Sequence, residues 1–266
     1  GIKDTEVIWE PNPNGRWVIS KHPRDFGLNA NAKVSTLFAA KPANTYYFCS
    51  GVDPIDQSDT LSADPSNGAI CVMRRPDDNV DNDPNLYYQF DDEIKGIRRG
   101  DPVNIGANFA TNRVICTYAE RPKDTSEFFE DVILTMVYFG TDFLPEKNKF
   151  GGLHTYLKLR GYDLYIMYKP TEVRNAKGQT EKDGVTATEN SINMYFDFIT
   201  TYTCTMANAI DHPDLLLELM TMNWKNKTDR DLGVAFGWTL YASMQRTSRR
   251  KETQKSAPLK HHCDLA

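Results

Sequence analysis

"DTSEFFEDVILTMVYFGTDFLPEKNKFGG", Asp124–Gly152, changes its hydrophobic period midway. In the first half Phe128, Phe129, Val132, Ile133, Met136 and Val137 recur at helical spacing, giving one apolar face. Asp124 with Glu127 three residues on predicts a capping box, and Gly140 predicts the stop. "TDFLPE" (141–146) then reads as a short strand that ends on a carboxylate, Glu146. Lys147, Asn148, Lys149, Gly151 and Gly152 follow within six residues. A helix feeding a strand implies a right-handed crossover onto a parallel neighbour.

Upstream, "TYYFCSGV" (45–52), "AICVMRR" (69–75) and "RVICTYAE" (113–120) are rich in aromatic and β-branched residues and read as strands. Their connections are looped, which predicts an antiparallel meander. Downstream, 153–161 reads as a helix ended by Gly161 and "YDLYIMY" (162–168) as a fifth strand. Helices follow over 188–208, 211–223 and 228–244. The expectation is one α/β domain over 45–245, a mixed five-stranded sheet of order 3-2-1-4-5 with helices on both faces. Residues 1–44 read as a linker and packed lead-in anchored by Trp9 and Trp17, and 246–266 as a basic tail. An acidic insertion at 76–104 holds a possible short strand at 86–90. The loop at 169–185 has no periodicity and carries Arg174, Lys177 and Lys182.

The net charge of −5 does not advertise a nucleic-acid binder in bulk, so any such contact must be local. No apolar run approaches the length of a membrane span. The five cysteines, Cys49, Cys71, Cys116, Cys204 and Cys263, are odd in number and form no C-x-x-C pair. Free thiols in a reducing compartment fit this pattern, and a zinc site does not. The sequence opens on Gly1, which reads as a piece of a longer chain.

Asp53 directly follows the first strand and Glu146 ends the fourth. If those strands are parallel neighbours, about 4.8 Å apart, both acids sit at the edge where open α/β sheets bind ligands. Two such carboxylates repel unless a proton or cation lies between them, and oxygen ligands suit Mg2+ or Mn2+. A third acid would complete a two-ion site for attack on phosphate. "TDRD" offers Asp229 and Asp231 at the start of the last helix. Two residues apart is about 200° of helical rotation, so a regular helix presents only one of them. Asp231 pairs with Thr228 as a cap, which leaves Asp229 as the preferred ligand. Glu120, at the end of the third strand, lies about 10 Å from the first and ranks lower. Each acid also has a plain structural reading: "DP" at 53–54 is a common turn, and acids favour helix N-termini.

Four stretches carry a resemblance. "CSGVDPIDQ", "VICTYAERPKDTSEFFEDV", "FLPEKNKFGG" and "TDRDLGVAFGWTLYA" resemble, in order, motifs of the C-terminal nuclease domain of tailed-phage terminase large subunits, an RNase H-like fold. The resemblance spans about 45–245. It implies a metal-dependent endonuclease that cuts concatemeric DNA using two Mg2+ or Mn2+ ions. It implies Asp53, Glu146 and Asp229 as metal-binding acids, with Asp231 the rival to Asp229. Lys147, Lys149, Arg174, Lys177 and Lys182 would meet double-stranded DNA. Portal protein and small terminase subunit would be partners of a full-length protein in the host bacterial cytoplasm, with no membrane contact. Two departures stand out: there is no G-x-x-x-x-G-K-[ST] phosphate loop, and the resemblance does not place the 76–104 insertion. A resolvase or transposase core, or an inert docking domain of the same fold, would share much of this pattern.

Overall fold

The computed structural model describes residues 6–35, 40–55, 66–76, 111–169 and 184–244. The strand expected at 86–90, most of the acidic insertion and of the 169–185 loop, and the 246–266 tail lie outside the described residues.

The meander forms as its composition dictates. Strands β4 (Phe48–Asp53), β5 (Gly68–Arg74) and β6 (Arg113–Glu120) pair antiparallel. Helix α1 (Thr125–Phe139) crosses over, and β7 (Phe143–Pro145) returns parallel to β4, pairing Ser50 with Phe143 and Val52 with Pro145. Asp124 caps α1 by accepting from the Ser126 amide, and Gly140 closes it in the left-handed region at φ 63°. The reciprocal bond expected from Glu127 is not made; its carboxylate instead lies 4.0 Å from Arg16.

The sheet has five strands, but its members differ from the expected set. The order is β1-β6-β5-β4-β7, where β1 (Trp17–Ile19) pairs antiparallel with β6. The four strands of the meander and crossover lie in the expected sequence, while the outer place on the far edge is taken by the lead-in. The Trp17 ring packs 5.4 Å from Tyr118, and its indole donates to Thr135 on α1. Strands β2 (Lys33–Ser35) and β3 (Ala40–Pro42) form a separate two-stranded ladder.

Residues 162–168 do not form the fifth strand. Asp163–Tyr165 is a 3-10 turn, and Ile166 makes a single parallel bridge to Phe143. Tyr162 and Tyr165 are both buried with their rings 5.5 Å apart. A 3-10 turn eclipses i and i+3, so it buries both rings on one side where a strand would separate them.

Side chains alternate between two cores, as the strand period requires. Phe48, Val52, Ile70, Val72 and Ile115 meet α1 and helix α2 (Gly151–Arg160). Cys49, Cys71, Met73, Val114 and Leu144 meet helices α3 (Glu189–Met206) and α5 (Asp231–Ser243), with α4 (Pro213–Thr221) against α5. Helix α5 is nearly all buried and lies directly on β4. A Cβ on Gly51 would come within 2.3 Å of the Ala235 carbonyl and 2.4 Å of the Thr239 amide, so glycine permits that approach. At the far end Arg75 donates to Thr45 and Phe48 carbonyls and, 2.8 Å away, to Ala242 at the C-terminus of α5. Cys49, Cys71 and Cys116 are buried free thiols, and Cys204 is an exposed one. Among the described residues, no helix is long and apolar enough to cross a membrane.

Candidate functional site

The parallel β4–β7 pair brings its carboxyl ends together. Extending the Val52–Pro145 register by one residue sets Asp53 beside Glu146, and the Glu146 amide donates to the Val52 carbonyl at 3.2 Å. Cys49 and Leu144 belong to the core under α5, so by alternation Asp53 and Glu146 face the same layer. Asp53 is 1% and Glu146 8% exposed. Burying two acids side by side is unfavourable unless their charge is offset.

Asp231 is the third acid of this group. It is the first residue of α5 and 8% exposed. Its Oδ2 accepts the Asn67 amide at 2.8 Å, and its buried Oδ1 has no hydrogen-bond partner. The turn that supplies Asn67 is tethered by Arg121, which donates to the Ser66 carbonyl.

At this helix the acid whose charge acts on Asp53 is Asp231. The N-cap of α5 is Arg230, without a side-chain bond, and Asp231 lies inside the helix. The Gly233 amide of the first turn is taken up by Glu218 from α4, at 2.9 Å. With that cap supplied from another helix, Asp231 is available to turn toward the sheet. Asp229 ends a 3-10 turn (Lys227–Asp229) and is exposed, and its charge reaches Asp231. Glu120 is likewise exposed at the end of β6.

Lys149 brings a cation into the cluster. The 3-10 turn Lys147–Lys149 folds it back, so its ammonium lies 3.1 Å from Asp53 Oδ1 and 3.3 Å from Oδ2. Lys147 is exposed, and its backbone amide donates to Val185, which bridges the end of β7 in parallel. Of the basic residues expected to meet DNA, Lys147 thus points outward and Lys149 inward. Arg174, Lys177 and Lys182 lie outside the described residues.

Electrostatics follow from this crowding. Burial pushes the Asp53 carboxyl up to about 8; Lys149 opposes the rise, and Glu146 and Asp231 add to it. Burial also raises Asp231, against the Asn67 bond and Lys149. Burial alone would lower Lys149, but Asp53, Glu146 and Asp231 outweigh it and hold the ammonium above its ordinary value. Three buried carboxyl groups this close favour a proton or a cation among them.

Tyr195 on α3 is a neighbour that the sequence does not single out. It is buried, it stacks on Phe196 at 5.1 Å, and a Cβ on Gly237 would strike its ring at 2.8 Å. Burial first, then Glu146 and Asp53, raise its hydroxyl well above the usual range. It is one of several aromatics on an amphipathic helix, so only the fold distinguishes it.

An all-oxygen donor set with an unpartnered buried oxygen has the chemistry that Mg2+ or Mn2+ favours. As the side chains stand, no three His, Cys, Asp or Glu residues among those described converge tightly enough to enclose an ion. Lys149 is ion-paired with Asp53. No protein-family model matches the chain, and no curated protein matches it.

Proposed function

We propose that this chain is a divalent-metal-dependent endonuclease with an RNase H-like core, acting on double-stranded DNA as the nuclease part of a phage packaging terminase. The observation that supports it most is the meeting of Asp53, Glu146 and Asp231 where β4, β7 and the start of α5 converge. Asp53 and Glu146 come from the ends of neighbouring parallel strands, and Asp231 comes from a helix packed on them. These three would hold two Mg2+ or Mn2+ ions.

When bound, such ions supply a hydroxide-like water and offset charge on the phosphoryl oxygens. The protein's part is positioning. Gly51 lets α5 close on β4 and so sets Asp231 toward Asp53. The Asn67 amide fixes one Asp231 oxygen and leaves the other open. The buried Tyr195 and the apolar layer beneath exclude bulk water from one side of the acids. Lys147, exposed at the rim, offers positive charge to the phosphodiester. Portal protein and a small terminase subunit are the partners this reading implies, in a bacterial host cytoplasm.

The test is supercoiled plasmid incubated with Mn2+, Mg2+ or EDTA. Metal-dependent nicking without sequence preference, lost in Asp53→Asn and Glu146→Gln, is the expected result. Structure-selective cutting would favour a resolvase-type enzyme. No cutting together with no ion binding would favour an inert docking domain.

A further inference from the structure

Lys149 sits where a rim lysine would not. Its side chain is only 21% exposed, and both Asp53 oxygens are within hydrogen-bond reach of its ammonium. Glu146 is the N-cap of the same 3-10 turn, so one four-residue stretch supplies both a carboxylate and the cation that offsets its neighbour. Across the cluster, the buried Oδ1 of Asp231 is left without a partner.

We propose that Lys149 is the built-in counter-ion of this site, and that a divalent cation enters by displacing it from Asp53. The class of the incoming ion rests on the nuclease reading. An ammonium has three N–H donors directed from one point and leaves Asp231 Oδ1 unmet, whereas a divalent ion gathers six or so oxygens around itself. The exchange is cation for cation, so the carboxylates are never left bare. The turn gives the lysine somewhere to go. Lys147 and Asn148 beside it are exposed, and a Cβ added to Gly151 would meet nothing within 4 Å.

The experiment is a calorimetric Mn2+ titration, with melting curves, of wild type, Lys149→Met and Lys149→Gln, each alone and with Asp53→Asn. Both lysine variants are expected to bind Mn2+ about tenfold or more tightly, the size of one charge-assisted hydrogen bond no longer in competition. Without metal they melt below wild type, and Mn2+ restores them. In the Asp53→Asn background, removing the lysine brings no gain. Equal or weaker Mn2+ binding by both lysine variants, with wild-type binding intact, overturns the exchange and leaves the nuclease reading standing. Absence of Mn2+ binding in every form, wild type included, overturns both. Should the variants fold poorly, amine labelling of the wild type decides: Mg2+ should speed modification of Lys149 several-fold, and an unchanged rate rejects its displacement.

Discussion

Asp231 and Asp229 differ by two positions and by everything that surrounds them. The first is buried at the helix start with one oxygen fixed and one open; the second is exposed on the preceding turn. We expect Asp231→Asn to abolish metal-dependent nicking and to weaken Mn2+ binding at least tenfold, with melting held near wild type, because the Asn67 amide keeps a carbonyl acceptor. Asp229→Asn should retain most of the activity. A plasmid-nicking time course on both proteins checks this, and the opposite pair of outcomes would return the ligand role to Asp229.

The elements set where these residues point, and Gly51 is the sharpest case. Gly51→Ala would force a methyl against the α5 backbone, where no flexible side chain can give way. Overpacking of this kind costs about 1–3 kcal/mol or more, and denaturant unfolding should show it. Mn2+ affinity should fall with it, since Asp231 rides on the helix that is pushed out. Much of this level was legible in the chain. The period change across 124–146 marks a crossover, and a crossover places Asp53 beside Glu146. Other features were not, because tertiary contacts decide them. Trp17–Ile19 pairs at the edge because Trp17 finds Tyr118 and Thr135. Tyr162 and Tyr165 share one pocket face, so an apolar run that reads as a strand turns instead. Glu218 serves as the distant partner of the α5 amides, which no local motif around Thr228 discloses. Lys149 reads as a rim cation until the 3-10 turn directs it inward.

At the scale of the whole molecule the cluster couples folding to pH. Burial raises the Asp53 carboxyl above its ordinary range in the folded chain, against the pull of Lys149. A raised acid favours the folded state fully below its unfolded pKa, about 4, and that contribution is lost as pH rises toward 8. Metal-free protein should therefore lose stability across this window, and Mn2+, which needs the carboxylate, should raise Tm little at pH 5 and progressively more up to pH 8. Melting curves at matched ionic strength test this; a metal-induced shift that ignores pH would remove Asp53 from the ligand set. The three acids also differ in how firmly the chain holds them. Asp53 and Asp231 belong to β4 and α5, fastened through Gly51 and through the Arg75 bonds at the other end. Glu146 hangs from a three-residue edge strand whose outer side meets only the bridges to Ile166 and Val185 among the described residues. Amide hydrogen exchange should divide along that line, slow in β4 and α5 and fast at Lys147 and Val185. An ion ligated by all three acids would bind the fast part to the slow one, and the Lys147 and Val185 amides would then exchange at the pace of the core.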